Sequence, residues 1–318
     1  MVLRYKTVGI VGLGKLGGSI TERLLNRDTR INIYNRDKTK LKIFEDMGAK
    51  SFDNVCALAN ESDFIITCVT NFESLKDVLF SKQGIAESNN SDLIVADCTT
   101  ITPSQSCYCA TQLKENNGIT LLSAPVMGGP SDAKNGELIS IISGDKKAYE
   151  KMHDVFDKIS KHAFYLGENN GISNSIKLAL NLNLAIISLA FSEGIVLATH
   201  SGIDPETFIN IFNVTKLKTG ISENKGQKII KNDFSPSFFL KNMLKDLDLV
   251  METSQSLQLS LPVTSLTQQL FRAANNCSDK KNKDYSIIFQ FLDELNGSVR
   301  LNKTNTRNTQ NTCTCLSS

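Results

Sequence analysis

The sequence predicts an α/β fold in which a doubly wound parallel sheet is followed by an all-α domain. From Lys6 to about Leu166, short β-rich runs alternate with helical stretches, the pattern of a parallel sheet covered by helices on both faces. Beyond Gly167 the strand signals stop and helical periodicity alone continues. A chain of 318 residues is long enough for each part to have a sizeable core.

The elements follow from local signals taken in chain order. We predict strands near 6–11, 31–34, 64–69, 93–97, 120–124, 138–143 and 162–165. Helices fall between them, and Pro103 near the start of one is typical of a first turn. Glycine and proline separate the later helices, which we place at Ile172 to His200, Pro205 to Asn213, about Ser222 to Lys231, Leu240 to Leu259 and Val263 to Asn275.

A glycine-rich turn joins the first strand to the first helix. In Gly12-Leu-Gly-Lys-Leu-Gly17, the first glycine permits a tight turn, the second lets backbone approach a pyrophosphate and the third packs helix on strand. Strand, turn, helix and second strand occur in the required order within about 30 residues. The turn therefore predicts a Rossmann-type dinucleotide site made by Gly12, Leu13, Gly14, Lys15, Leu16 and Gly17.

The end of the second strand indicates which dinucleotide binds. The strand is followed by Asn35 and Arg36 instead of the acidic residue that accepts the ribose hydroxyls of NAD. A guanidinium pairs well with a 2′-phosphate, and Thr39 adds a hydroxyl nearby. NADP is the predicted cofactor, with NAD possible, and a solvated basic turn is the alternative interpretation of Arg36.

Polar residues recur at helical spacing in the otherwise apolar segment 172–200, namely Ser173, Lys177, Asn181, Ser188 and Ser192. Such spacing places them on one face of a helix. An ammonium on an apolar surface is costly without a partner or a task, so we expect chemistry at Lys177 and Asn181. The alternative is the solvated face of an amphipathic helix. The polar residues within the segment also argue against insertion into a membrane.

Composition limits the partners and the compartment. A net charge of +2 with interspersed charges gives no reason to expect nucleic acid or a membrane as a partner. The first strand begins by Lys6 and leaves no room for a signal peptide, so we expect a cytoplasmic, reduced protein. The pairs Cys107/Cys109 and Cys313/Cys315 lack the spacing of zinc ligands, and we predict no metal.

Five blocks of sequence together resemble the β-hydroxyacid dehydrogenase family, over roughly residues 7 to 290. They are Gly12 to Gly17, Asp97 to Thr100, Ala124 to Gly129, Gly171 to Lys177 with Asn181, and Lys245-Asp246 followed by Leu261-Pro262. Their occurrence in order is far more specific than any single block. The resemblance implies a Rossmann-type domain at 1–166 and a helical substrate and dimerisation domain at 167–296, and we expect residues 297–318, rich in Asn and Thr, to be disordered.

The resemblance also implies roles for individual residues. Lys177 falls on the family's catalytic lysine and Asn181 on its orienting amide. A desolvated lysine has a lowered pKa, which suits a general acid. Thr100 falls beside the nicotinamide, and Lys245 lies where the helical domain closes over it, with a surface ion pair as the alternative. The positions implied for the substrate are Ser123, Met127, Gly128, Gly129, Phe238 and Asp246.

Two positions depart from the family pattern. Ser123 stands where an acidic residue is usual, and Met127 stands where a serine commonly contacts the substrate carboxylate. Met127 therefore predicts a less polar or larger substrate.

We expect an oxidoreductase that transfers a hydride between NADP(H) and a small β-hydroxyacid or semialdehyde, with Lys177 moving the proton. One alternative is an imine reductase-like enzyme. Another is a non-catalytic NADP-binding or chromatin-associated scaffold. The resemblance also implies a homo-oligomer.

Overall fold

A computed structural model describes residues 6–27 and 29–298. The strands are β1 (Thr7–Val11), β2 (Arg30–Tyr34), β3 (Lys50–Ser51), β4 (Phe64–Thr67), β5 (Ile94–Asp97), β6 (Thr120–Ser123), β7 (Val126–Met127), β8 (Leu138–Ile142) and β9 (Ser160–Tyr165). The helices are α1 (Lys15–Leu25), α2 (Lys42–Asp46), α3 (Val55–Asn60), α4 (Phe72–Phe80), α5 (Pro103–Asn117), α6 (Pro130–Asn135), α7 (Lys146–Ile159), α8 (Gly171–His200), α9 (Pro205–Val214), α10 (Gly220–Ile230), α11 (Leu240–Ser256), α12 (Pro262–Asn276) and α13 (Ile288–Leu295). Residues 299–318 of the predicted tail lie outside the described residues.

Six parallel strands form the main sheet in the order β3-β2-β1-β4-β5-β6. The middle of the sheet is apolar and buried, as at Ile10, Ile33, Ile66 and Val95, because helices cover both faces. The strand order reverses between β1 and β4, and ligands bind at the carboxyl ends of strands at such a point. The predicted α/β fold is confirmed.

The last predicted strands do not extend this sheet. β8 and β9 pair in parallel with each other, and the short β7 pairs antiparallel with β8, which makes a separate three-stranded sheet. A bridge between Ser123, at the end of β6, and Ser143, directly after β8, connects the two sheets. Alternation of strands and helices predicts that strands exist, but it does not show which sheet each strand joins.

The helical part is organised around α8, which is 30 residues long. It packs against α11, α12 and α13, and Gly171 at its start lies against α5. By length and composition α8 could cross a membrane, but core helices of soluble proteins meet the same criterion, and half of its most apolar stretch is buried.

The polar face of α8 points inward. Ser173, Asn181, Ser188 and Ser192 are buried, and Lys177 is half-buried. The opposite side exposes apolar residues, namely Ile172, Ile176, Leu180, Ile187 and Leu197. A solvated polar face, the alternative for this pattern, is therefore not what the structure shows.

Candidate active site

The glycine turn follows β1 at the reversal of strand order. Gly12 has a φ of 100°, a value that favours glycine, and a side chain there would overlap the carbonyl oxygen of Cys68 after β4. A side chain at Gly17 would overlap the carbonyl oxygen of Gly12. These two glycines therefore set the close contact between β1, α1 and β4.

Gly14 has a different environment. An added Cβ would meet no atom within 4 Å, so the backbone at this residue faces open space. Gly14 is also the N-cap of α1, and no side chain caps this helix, whereas Asn71 caps α4 and Thr102 caps α5. Free amides at a helix N-terminus attract phosphate. The turn therefore fits the pyrophosphate of a dinucleotide.

The end of β2 borders this turn. The amide of Leu13 donates to Asn35 Oδ1 at 2.9 Å, so the side chain of Asn35 fixes the turn. Arg36 is exposed. The carboxylate of Asp37 accepts from the amide and hydroxyl of Thr39 at 3.1 and 2.7 Å, and these bonds hold the pKa of Asp37 below its ordinary value. The hydroxyl of Thr39 is thus already engaged.

The start of α8 is fixed by small residues and hydroxyls. A side chain at Gly171 would press on Pro103 and Cys107 of α5, so glycine lets the two helices approach. Ser173 Oγ donates to the carbonyl of Ser123 at 3.2 Å and accepts from Ser143 Oγ at 2.8 Å. These bonds attach the first turn of α8 to both sheets, and Lys177 follows one turn later.

Ser123 belongs to this hydroxyl network. Its side chain is fully buried, is in close contact with Ser106 Oγ and accepts from Asn170 Nδ2 at 3.2 Å. A serine with these partners joins β6 to α5 and α8. The structure places it in the support of the site, beneath the surface that a substrate could reach.

Lys177 projects from α8 toward the loop that contains β7. Its Nζ lies 3.1 Å from Met127 Sδ, and a thioether is a weak acceptor. Burial lowers the pKa of Lys177 from 10.5 to about 8, while Asp246 opposes the shift and Lys245 adds to it. An amine with this pKa changes protonation state near neutral pH, as an acid or base catalyst requires.

A chain of polar contacts connects α8 and α11 to the end of β5. Asn181 Nδ2 donates to Asp246 Oδ2 at 2.6 Å, and Lys245 Nζ lies 2.8 Å from Asp246 Oδ1 as an ion pair. Lys245 Nζ also donates to the carbonyl of Thr100 at 2.8 Å. Lys245 thus forms the ion pair that one interpretation predicted, and it also bridges from the helical part to the nucleotide-binding part.

Asn181 retains bonding capacity. Its Oδ1 is buried and has no protein partner, and an unpaired buried acceptor is costly. The atom lies one turn from Lys177 on the same face of α8. We refer to Thr100, Met127, Lys177, Asn181, Lys245 and Asp246 as the reaction cluster.

A segment between α10 and α11, residues 234–239, contacts the glycine turn. The ammonium of Lys15 donates to the carbonyl of Pro236 and lies 5.3 Å from the ring centre of Phe239. Phe238 is half-buried and packs edge-on against Tyr285 with ring centres 5.9 Å apart. The segment therefore closes one side of the cleft between the two parts of the chain.

Asp284 fixes this segment. The fully buried carboxylate accepts from the amides of Ser237 and Phe238 at 3.0 and 3.2 Å. It also pairs with Lys225 Nζ at 2.9 Å. Sequence reasoning missed both residues because they come from different helical regions, and no local pattern links them.

The loop after β7 carries the two glycines predicted to meet the substrate. Gly128 is exposed and has a φ of 120°, which favours glycine. The amide of Gly129 donates to Asp132 Oδ2 at 2.6 Å, so the third residue of α6 holds the N-cap of this helix. Asp132 was not predicted, although an acid three residues after a helix N-cap is a recognisable signal.

Among the described residues, no group of three or more His, Cys, Asp or Glu side chains is placed to hold a metal ion.

The comparisons with known proteins agree with this geometry. Residues 7–167 match the family model for the NAD-binding domain of 6-phosphogluconate dehydrogenase. Residues 171–292 match the model for the NAD-binding region of NADP-dependent 3-hydroxyisobutyrate dehydrogenase. The fold and the site thus define an NAD(P)-binding dehydrogenase scaffold. The chain belongs to the β-hydroxyacid dehydrogenase family.

Proteins with similar sequences carry names that describe different functions. The chain is 30% identical over 285 residues to the cytokine-like nuclear factor N-PAC of Drosophila melanogaster, covering 89% of this chain and 47% of that protein. It thus spans about half the length of that relative. It is 28% identical over 287 residues to glyoxylate/succinic semialdehyde reductase 2, chloroplastic, of Arabidopsis thaliana, covering 90% and 79%.

Among solved structures, 3-hydroxyisobutyrate dehydrogenase from Salmonella typhimurium superposes with a TM-score of 0.82 at 24% identity, covering 90% of this chain and 99% of that one. This similarity shows the shared fold.

Proposed function

We propose that the protein is an NADP(H)-dependent oxidoreductase. It reduces a small semialdehyde to the alcohol, or oxidises a small β-hydroxyacid to the corresponding carbonyl compound. The observation that carries this proposal is the position of Lys177. Its amine lies on the inner face of α8, contacts Met127 across the cleft at 3.1 Å and has a pKa lowered to about 8.

In this proposal the protein's own groups bind, orient and protonate the substrate. NADPH, held by the glycine turn at Gly12 to Gly17, would supply the hydride that reduces the carbonyl carbon. The ammonium of Lys177 donates a hydrogen bond to the carbonyl oxygen and then its proton, because charge develops on that oxygen during reduction. In the reverse direction the neutral amine accepts the hydroxyl proton. The unpaired Oδ1 of Asn181 is available to orient the ammonium or a substrate hydroxyl.

Two features support NADP as the preferred cofactor. Arg36 is exposed at the end of β2, where a guanidinium suits a 2′-phosphate. Asn35 fixes the glycine turn, which leaves Arg36 as the residue available to bind the 2′-phosphate on the ribose. The carboxylate of Asp37 is engaged by the amide and hydroxyl of Thr39.

The test of the proposed function removes the ammonium but keeps the volume of the side chain. Lys177→Met should lower kcat for NADPH oxidation with succinic semialdehyde by about 1,000-fold, within the usual range for a general acid. NADPH affinity, measured by fluorescence titration, should stay within about twofold because the nucleotide is held elsewhere. Lys241→Ala, on the exposed side of α11, is the matched control. Full activity of Lys177→Met would remove Lys177 from the mechanism.

The same assay separates the alternatives. An imine reductase-like enzyme would reduce a cyclic imine in preference to the semialdehyde, whereas the lysine beside Met127 favours carbonyl reduction. A non-catalytic scaffold, the alternative that the N-PAC similarity keeps relevant, would oxidise NADPH with neither compound.

We also propose that two copies of the chain associate through the outer side of α8. Ile176 and Leu197 are 42% and 72% exposed there, and an apolar helix side exposed along its length is typical of an interface. Leu197→Glu should convert the oligomer to a smaller species in sedimentation velocity. A monomeric parent protein would contradict this proposal.

A further inference from the structure

The charges around the reaction cluster suggest what kind of substrate it accepts. Enzymes usually hold a substrate carboxylate with arginine, with an unpaired lysine or with several free amides. No arginine occurs between Arg36 and Arg272 in the sequence, a span that includes every segment of the reaction cluster. Arg272 is itself paired with Asp248 at 2.6 Å. The guanidinium group, which binds carboxylates best, is therefore absent from these segments.

The lysines near the cluster are already engaged. Lys245 lies 2.8 Å from Asp246 Oδ1 and 2.8 Å from the carbonyl of Thr100. Lys134 on α6 pairs with Glu22 at 2.8 Å. The ammonium of Lys177 remains, and the proposed reaction uses it at the carbonyl oxygen. Of these three described lysines, none is left to bind the other end of the substrate.

The loop next to Lys177 is also poorly suited to an anion. Met127 offers a sulfur atom in contact with the amine and has no hydrogen-bond donor. The amide of Gly129 is occupied by Asp132 at 2.6 Å, and Pro130 has no amide hydrogen. A Cβ placed on Gly128 would lie 3.1 Å from Asp132 Oδ2. A negative charge thus borders the surface beside the lysine.

We infer that the reaction cluster selects a substrate whose end remote from the carbonyl is uncharged, with Met127 and Asp132 as the residues that set this specificity. A carboxylate over the 127–129 loop would face the carboxylate of Asp132 without a compensating cation, and like charges placed together are strongly disfavoured. An ester or amide at the same place contacts the apolar thioether of Met127 and loses little binding free energy. The inference rests on the proposed function and, within it, favours the neutral esters or amides of the semialdehyde or β-hydroxyacid over the free acids.

The test compares two substrates that differ only in this charge. Succinic semialdehyde and its methyl ester, methyl 4-oxobutanoate, share the same reacting aldehyde. With the full-length protein and NADPH, the ester should have the higher kcat/KM, by about tenfold. A kcat/KM for the acid that equals or exceeds that of the ester would overturn the inference and leave the proposed function intact.

Variants identify the residues responsible. Asp132→Asn removes the charge and keeps an acceptor for the Gly129 amide, so the ratio of kcat/KM for acid to that for ester should rise about tenfold. Met127→Ser adds a donor and should move the ratio in the same direction. Asp204→Asn, which alters an exposed N-cap on α9 in the same chemical way, is the matched control and should leave the ratio unchanged. An unchanged ratio in both site variants would overturn the assignment of these residues.

Binding gives a second measurement that does not depend on turnover. If neither aldehyde is reduced, the proposed function fails, and calorimetric titration of the NADP⁺-loaded protein with succinate and with dimethyl succinate still decides the charge preference. Tighter binding of dimethyl succinate supports the inference. Tighter binding of succinate contradicts it.

Discussion

The two ends of the cleft are built in different ways. At the nucleotide end, Gly12 and Gly17 allow the close packing of the turn, Gly14 leaves backbone facing open space, and one side chain, Asn35, fixes the turn at 2.9 Å. At the reaction end, buried polar side chains from α8 and α11 hold one another, as in the 2.6 Å contact between Asn181 and Asp246. The first end is specified by adjacent residues, whereas the second depends on how distant helices dock.

The comparison predicts that removal of a buried charge at the reaction end has the largest effect on kcat. Asp246→Asn should lower kcat by about 100-fold, because Lys245 loses its ion pair and the pKa of Lys177 falls further once the carboxylate that raises it is gone. The measurement is the pH dependence of kcat/KM for reduction, whose upper limb should move to lower pH.

The chain supplies a close control for that variant. Asp248 lies two residues later on α11 and pairs with Arg272 at a half-exposed position, where ion pairs contribute little. Asp248→Asn should leave the pH profile and kcat within about twofold. Equal effects of the two variants would show that the reaction end does not depend on its buried charges.

At the nucleotide end, substitutions at Gly14 and Gly17 of the same turn should have different effects on stability and on NADPH binding. Gly17→Ala should destabilise the protein by about 2 kcal/mol, the usual cost of overpacking, because the new methyl group would overlap the carbonyl of Gly12. Gly14→Ala should leave the unfolding transition unchanged and weaken NADPH binding, since its methyl group would enter open space. Urea unfolding and NADPH titration of both variants provide the measurements. Equal destabilisation by the two substitutions would contradict the assigned difference between Gly14 and Gly17.

A smaller effect is expected at the exposed end of β2. Arg36→Asp should reduce the preference for NADPH over NADH by about tenfold, since a charge-assisted hydrogen bond contributes roughly 1.5–3 kcal/mol and exposure weakens it. The ratio of kcat/KM for the two cofactors is the quantity to measure. An unchanged ratio would remove Arg36 from recognition of the 2′-phosphate.

The same contrast explains what the sequence could predict. The glycine turn and the α/β fold rest on local patterns, and the fold is confirmed. The spacing of Lys177 and Asn181 isolated two members of the reaction cluster. The contact between Lys15 and Pro236, the buried pair of Lys225 and Asp284 and the separate sheet of β8 and β9 could not be predicted, because they depend on docking between segments far apart in the chain.

Asp132 is a different case. Its place at the third position of α6 is a local capping signal, yet its proposed role in specificity comes from its position next to Gly128, in the loop whose Met127 contacts Lys177. A local pattern can thus predict a cap without showing which site the cap faces.

The most direct test of the central claim is the pH dependence of hydride transfer in the wild-type protein. In the proposed mechanism the ammonium of Lys177 is the proton donor, and burial lowers its pKa to about 8. Presteady-state NADPH oxidation with methyl 4-oxobutanoate should therefore be constant below that pH and fall tenfold per pH unit above it, and the fall should be absent in Lys177→Met. A rate that stays level from about pH 7 to 10, across the range in which Lys177 would lose its proton, would contradict the account.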